Sequence, residues 1–96
     1  MKQYLIYAWD GKGQDALERR MSVRPFHFEK ARELKAKGNF VFGGAILNDD
    51  GKMIGSNMIV QFETDQELKA WLDSEPYIVN KVWEKFEVRP FKVAEV

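Results

Sequence analysis

The segment NFVFGGAILNDDGKMIGSNMIVQF, residues 39–62, has the pattern of a β-hairpin. Two β-prone runs, residues 39–47 and 52–62, flank the turn-forming sequence Asn48-Asp49-Asp50-Gly51. The adjacent Gly43 and Gly44 in the first run indicate a bulge or a close approach of two backbones. We therefore place a hairpin in the middle of the chain and expect the other elements on either side of it.

A helical region precedes the hairpin. Helix formers are frequent from Gln14 onward, but the segment Ser22-Val23-Arg24-Pro25 predicts an interruption, because proline restricts the residue before it and suits a first helical turn. We expect a short helix and then a longer one over Pro25–Lys37. Gly38 stands where a residue in the left-handed conformation commonly ends a helix.

A second helical region follows the hairpin. Thr64 and Glu67 have the spacing of a capping box, and apolar residues recur after them at helical intervals. We expect this helix to end near Ser74, because Glu75-Pro76-Tyr77 forces a turn and can start a further helical segment.

Strands are expected at both ends of the chain, over Tyr4–Trp9 and Val82–Phe91. The second contains Pro90, which suits a sheet edge or a strand terminus. The order is βαββαβ, an α+β arrangement of the ferredoxin-like type, with both helices on one face of a four-stranded antiparallel sheet. Both faces of the first strand are apolar, so the face away from the helices needs a cover, and a second subunit is one candidate.

Composition limits the classes of function. A chain of 96 residues, 45% of them hydrophobic, is expected to form one domain over residues 1–96. Fifteen basic and fifteen acidic side chains cancel, and the third strand lacks the RNA-binding pattern, which argues against nucleic-acid and membrane partners. The chain has no cysteine and no apolar run long enough for a signal peptide or membrane span, so we expect a cytoplasmic protein.

His27 is the only histidine. In the predicted helix pair it falls in the first turn of the longer helix, where a carboxylate or a bound anion is favoured. Its spacing from Ala31 and Leu34 directs the imidazole toward the sheet. This position suits acid–base chemistry or ligand binding, and it equally suits a histidine that only completes a hydrogen bond in the core.

Glu75 is a second candidate, because the proline after it fixes the backbone and can direct the carboxylate into a cleft. A helix cap or a solvated acid is the plainer alternative, and spacing alone does not connect Glu75 with His27. No nucleophile elbow surrounds Ser22, Ser56 or Ser74. One histidine, no cysteine and no calcium-loop pattern lead us to expect no metal and no other cofactor.

Four segments occur in register with these elements: Ser22-Val-Arg-Pro-Phe-His27, Gly43-Gly-Ala45, Ser74-Glu-Pro-Tyr77 and Glu87-Val-Arg-Pro-Phe-Lys92. With them the chain resembles the YciI-like family, or YCII-related domain, across nearly its whole length. Members carry Arg-Pro-x-His at the first long helix and Asp-Pro-Tyr before a last strand that ends in Arg-Pro-Phe. The resemblance implies a ferredoxin-like fold that dimerises sheet to sheet as an α/β barrel.

The resemblance also implies a site. His27 matches the family histidine, as general acid or base, and Glu75 stands where aspartate is usual, as the orienting or second proton-transfer group. The longer glutamate shifts the carboxylate by about one methylene, which can alter the pair. Arg24 is implied as an anion anchor, and we add Tyr77 and Ser56 as predicted substrate contacts.

The implied activity is proton transfer on a small cyclic oxygenated molecule, of the lyase or isomerase type, because the enzymatic relatives are a dehydrochlorinase and, in the broader barrel, muconolactone isomerases. The resemblance does not define the substrate. The expected partners are a small-molecule ligand and a second copy bound through the sheet faces. Two alternatives are a non-catalytic module that binds a metabolite and a purely structural dimer, and the latter predicts no pocket beside His27.

Overall fold

Four strands and three helices form the fold in the computed structural model, which describes residues 1–96. In chain order they are β1 (Lys2–Asp10), α1 (Asp15–Ala36), β2 (Phe40–Leu47), β3 (Met53–Phe62), α2 (Asp65–Ser74), α3 (Pro76–Val79) and β4 (Trp83–Phe91). The strands pair in the order β2-β3-β1-β4, and every neighbouring pair is antiparallel. The predicted ferredoxin-like βαββαβ order is confirmed, and Pro90 lies in an edge strand as expected.

The predicted break in the first helical region is wrong. The helix α1 runs without interruption from Asp15 to Ala36 and contains Pro25 in its interior. A proline there removes one backbone hydrogen bond to the residue four positions earlier, but Pro25 and Met21 are both exposed, so water can reach the freed carbonyl. His27 is therefore in the middle of a long helix, and the argument from a helix N-terminus does not apply to it.

The sheet has two different faces. Along β1 the residues alternate, with Tyr4, Ile6, Ala8 and Asp10 buried beneath the helices. The other set, Leu5, Tyr7 and Trp9, lies on the face that no helix covers and is only half-buried. Tyr7 and Trp9 touch edge to face there, with ring centroids 4.8 Å apart. The prediction that β1 has two apolar faces is confirmed.

The layer between sheet and helices also has two different ends. All five buried polar residues lie around the C-terminal half of β1, and we call this group the polar end: Asp10, Arg20, His27, Ser56 and Glu75. Toward the N-terminal half of β1 the core is hydrophobic, and we call that group the apolar end: Tyr4, Leu34, Val60, Phe62, Leu68 and Trp71. Pairing of Ala8 with Ser56 and of Tyr4 with Val60 fixes the two ends at opposite ends of β1.

The helix termini and the central hairpin follow local chemistry. Thr64 caps α2 by accepting a hydrogen bond from the backbone N–H of Glu67. Gly38 has a φ of 77°, as its predicted role at the end of α1 requires. A Cβ on Gly43 would lie 3.1 Å from the Asn57 carbonyl oxygen, which is the predicted close backbone approach. No helix is both long enough and apolar enough to cross a bilayer.

Candidate active site

His27 and Glu75 are in direct contact, although 48 positions separate them in the sequence. The imidazole Nδ1 hydrogen-bonds to Glu75 Oε1 in a short contact between two buried side chains. The helix α1 positions His27, and the turn between α2 and α3 brings Glu75 back against it. In the neutral tautomer that donates its Nδ1 proton to the carboxylate, the ring has its lone pair on Nε2.

Glu75 also begins the short helix α3. The same oxygen, Oε1, accepts a hydrogen bond of 3.3 Å from the backbone N–H of Tyr77. The Oε1 atom of Glu75 is therefore both the cap of α3 and the partner of His27. The alternative of a solvated acid is excluded because Glu75 is fully buried. The second oxygen, Oε2, is buried and has no hydrogen-bond partner in the protein.

Tyr77 forms the wall behind His27. Its ring stacks on the imidazole, with centroids 4.0 Å apart and planes 11° apart. The guanidinium of Arg20 lies over the same tyrosine ring at 4.8 Å. The phenol oxygen has no hydrogen-bond partner, and burial raises the pKa of Tyr77 above the ordinary value for tyrosine. Stacking and burial together hold the imidazole in one orientation.

A buried polar network adjoins this wall. The Nη1 atom of Arg20 lies 3.0 Å from one carboxylate oxygen of Asp10, and Nη2 donates to the Ser56 hydroxyl at 2.8 Å. The same hydroxyl accepts from Trp83 Nε1 at 3.1 Å. Burial raises the pKa of the Asp10 carboxyl, and the hydrogen bond and charge of Arg20 oppose that increase.

Sequence reasoning missed Asp10 and Arg20. Two signals could have identified them. Asp10 continues the alternation that buries Tyr4, Ile6 and Ala8. Arg20 stands seven positions before His27, which is two helical turns and therefore the same face of α1.

A cleft of about 410 Å³ opens beside His27, between α1 and strands β2 and β3. His27 lines it, whereas Glu75 and Tyr77 do not, so the imidazole separates the buried carboxylate from the cleft. The Nε2 atom makes no hydrogen bond within the protein and is the ring nitrogen available to a ligand. The cleft contradicts the purely structural dimer, which predicted no pocket here.

The other predicted contacts have different positions. Arg24 and Ser56 line the cleft beside His27. Arg24 is half-buried, and its guanidinium stacks 4.3 Å above the ring of Phe28. Tyr77 lies behind the imidazole, outside the lining. No group of three or more His, Cys, Asp or Glu side chains is close enough to hold a metal ion.

Comparison with known sequences gives one family. The profile of the YCII-related domain matches residues 3–92. Protein YciI of Escherichia coli O6:H1 is 38% identical over 95 residues, which cover 93% of this chain and 95% of that protein. An uncharacterized protein of Haemophilus influenzae is 32% identical over the same length and coverage.

Two solved structures have the same fold. One is 5-chloro-2-hydroxyhydroquinone dehydrochlorinase from Burkholderia phenoliruptrix AC1100 in complex with 2,5-dihydroxybenzoquinone. It has a TM-score of 0.81 and 26% identity over 96% of this chain and 95% of that chain.

The other is a dimeric ferredoxin-like protein of unknown function from Jannaschia sp. CCS1. It has a TM-score of 0.61 and 15% identity, over 97% of this chain and 100% of that chain, and it supports the fold alone. From the profile match and the identity to YciI, we conclude that the chain belongs to the YCII-related domain family.

Proposed function

We propose that this protein is a small-molecule enzyme of the lyase or isomerase type, in which His27 moves protons and Glu75 orients and stabilises it. The observation that carries this proposal is the contact of Nδ1 with the buried carboxylate while the ring lines a cleft on its other side. The similarity to a dehydrochlorinase at 26% identity supports the same class of chemistry.

The proposed step uses the neutral imidazole as a base. Nε2 takes a proton from a substrate carbon or hydroxyl group, and the negative charge of Glu75 stabilises the imidazolium that forms. In an elimination, the electron pair of the broken C–H bond becomes the new double bond and the leaving group departs with its own pair. In an isomerisation, the imidazolium returns the proton to another substrate atom. Acid–base chemistry alone completes either reaction, without a metal or a redox cofactor.

His27 and Glu75 have different roles in this proposal. Glu75 does not line the cleft, and His27 lies between it and any ligand. We therefore assign Glu75 the orienting role rather than a second proton transfer to substrate. Arg24 and Ser56 line the cleft and are proposed substrate contacts, whereas Tyr77 is proposed to hold the imidazole by stacking.

Chloride release from 5-chloro-2-hydroxyhydroquinone and hydrogen–deuterium exchange of muconolactone in D₂O test the function. We expect His27→Gln to lower the rate on a substrate that is turned over by about a hundredfold or more, because proton transfer by a positioned group contributes on this order. Glu75→Gln should keep the fold and lower the rate by at least about tenfold. Glu29→Gln, exposed on α1 and outside the cleft, is the matched control.

Equal rates for the wild-type protein and His27→Gln on such a substrate would remove His27 from the mechanism. A ligand that raises the melting temperature of both proteins but is never converted would instead favour the non-catalytic binding module.

We also propose that the protein forms a homodimer through the open faces of the two sheets. The half-buried Leu5, Tyr7 and Trp9 occupy this face, and Phe42 on the neighbouring β2 is 57% exposed. An apolar surface of this kind favours association. Sedimentation velocity at micromolar concentration should give a dimer, and Tyr7→Glu should give a monomer. A wild-type protein that stays monomeric would contradict the proposed dimer through the open sheet faces.

A further inference from the structure

Three cationic side chains form a row along the cleft. Arg24, Arg32 and Lys35 project from α1 and line the cleft, and no acidic residue lines it. None of the three takes part in an ion pair. Arg20 differs from them, because its charge is balanced by Asp10 at 3.0 Å. The chain as a whole has no net charge, so this row is a local excess of positive charge.

The spacing of the three residues along α1 sets the distance between the cationic positions. With a rise of 1.5 Å per residue, Arg24 and Arg32 are separated by roughly 12 Å along the helix axis, and Lys35 lies roughly 4–5 Å beyond Arg32. Arg24 therefore forms one cationic position, and Arg32 with Lys35 forms another. These are spacings of the backbone along the helix axis, and long side chains can shorten the distance between the charges.

Apolar surface separates the two cationic positions. Phe28 and Ala31 lie between them on α1, and three further apolar side chains line the cleft with the polar His27 and Ser56: Phe40, Met53 and Met58. Gly43 and Gly44 on β2 also line the cleft and leave it open, because they carry no side chains. A ligand that matches this surface has an apolar middle and negative ends.

We infer that the cleft binds an elongated small molecule with two anionic groups, carboxylate or phosphate, joined by an apolar segment. One group lies at Arg24 and the other at Arg32 and Lys35. This inference deepens the proposed function, since it names the substrate class of the same cleft. His27 is three residues beyond Arg24, roughly 4–5 Å along the axis. The reacting atom is therefore close to the anionic group held by Arg24.

Binding of suberate and octanoate tests the inference, because the two differ only in the second carboxylate. Titration calorimetry at low ionic strength should show suberate binding about tenfold more tightly to the wild-type protein, the gain expected from one further charge-assisted contact. The double variant Arg32→Gln/Lys35→Gln should lose this advantage while its affinity for octanoate stays unchanged. Added salt should reduce the advantage in the wild-type protein.

The matched control is Lys30→Gln/Lys37→Gln, which removes the same charge from α1 and the residue directly after it, outside the cleft. It should keep the preference for suberate. Equal affinity of the wild-type protein for suberate and octanoate, or equal loss of the preference in both double variants, would overturn the inference.

Phenyl phosphate, benzoate and neutral benzamide identify the group at Arg24 when they are titrated into Arg32→Gln/Lys35→Gln, which removes the other cationic position. Tighter binding of phenyl phosphate than of benzoate assigns phosphate to this position, and the reverse order assigns carboxylate. Binding of both anions no tighter than benzamide would count against an anion site.

The proposed function and this inference can fail separately. If His27→Gln keeps the preference for suberate but no substrate is turned over by the wild-type protein, the ligand class stands and the enzyme proposal fails. If His27-dependent turnover is found on a neutral molecule and suberate is not preferred, the enzyme proposal stands and the ligand class fails.

Discussion

The two ends of the layer between sheet and helices contain different kinds of residue. The apolar end is a hydrophobic core in which only the Tyr4 hydroxyl makes a side-chain hydrogen bond, and the polar end contains every buried polar residue of the protein. Burying charge is costly unless each group has a partner. The polar end therefore depends on particular pairs of atoms, whereas the apolar end tolerates exchange of similar side chains. The cleft opens beside the polar end, where His27 and Ser56 line it.

The largest expected effect is on the buried ion pair. Asp10→Ala leaves the Arg20 guanidinium buried without its carboxylate, and both side chains are almost fully buried. We expect unfolding by urea to show a loss of about 3–5 kcal/mol. The double variant Asp10→Ala/Arg20→Met should regain much of it, because it removes the uncompensated charge. A loss below about 1 kcal/mol in the single variant would show that the two ends do not differ as described.

A smaller effect is expected at Ser56. Ser56→Ala removes the hydroxyl that accepts from Arg20 and Trp83, and leaves two buried donors without that acceptor. The free energy of unfolding should fall by about 1–3 kcal/mol. Ser74→Ala, at an exposed hydroxyl that bonds only to the Trp71 carbonyl, is the control and should change stability by less than about 0.5 kcal/mol. Equal losses in the two variants would contradict the special dependence of the polar end on its pairs.

No loss of stability at neutral pH is expected for Tyr77→Phe. The phenol hydroxyl is buried and makes no hydrogen bond, so its removal should leave the free energy of unfolding unchanged or raise it by up to about 1–3 kcal/mol. Tyr4→Phe is the contrasting variant, since the Tyr4 hydroxyl donates to Asp65, and it should lower the urea midpoint.

The variant Tyr77→Phe also differs from the wild-type protein at alkaline pH. Because burial raises the pKa of Tyr77 in the folded protein, the unfolded chain loses its phenol proton first. The stability from this group is fully present below pH 10.0, the ordinary tyrosine value, and is lost as the pH rises from there through the folded-state pKa. The urea midpoint of the wild-type protein should therefore fall more steeply above pH 10.0 than that of Tyr77→Phe. Parallel curves would show that Tyr77 ionises equally easily in both states.

Local patterns predicted the elements of the fold well, and the reasons differ from element to element. Alternation in β1 and the turn after Leu47 are short-range signals, so the local sequence was enough to predict the strands and the hairpin. The rule for Pro25 is also short-range, but it failed because the exposed position of the proline limits the cost of the lost hydrogen bond. Arg20, Val23, His27 and Leu34 are buried on both sides of it, and this packing keeps α1 continuous.

The site could be predicted only in part. The motifs around His27 and Glu75 indicated both residues, but their contact spans 48 positions and depends on how α1 and α3 pack. The depth of Glu75 and the position of Tyr77 behind the ring also depend on tertiary structure. The cleft arises between α1 and two strands distant from it in sequence, so no local spacing could show it, whereas its row of cations lies on α1 alone.

The shared oxygen of Glu75 links the imidazole of His27 to the backbone of α3. Oε1 holds both the imidazole and the backbone N–H of Tyr77, which starts α3. A change in the charge of the His27–Glu75 pair therefore alters the strength of a backbone hydrogen bond. The amide hydrogen of Tyr77 should thus exchange with solvent faster in Glu75→Gln than in the wild-type protein at the same pH, so one backbone resonance reports the loss of the carboxylate charge without any substrate.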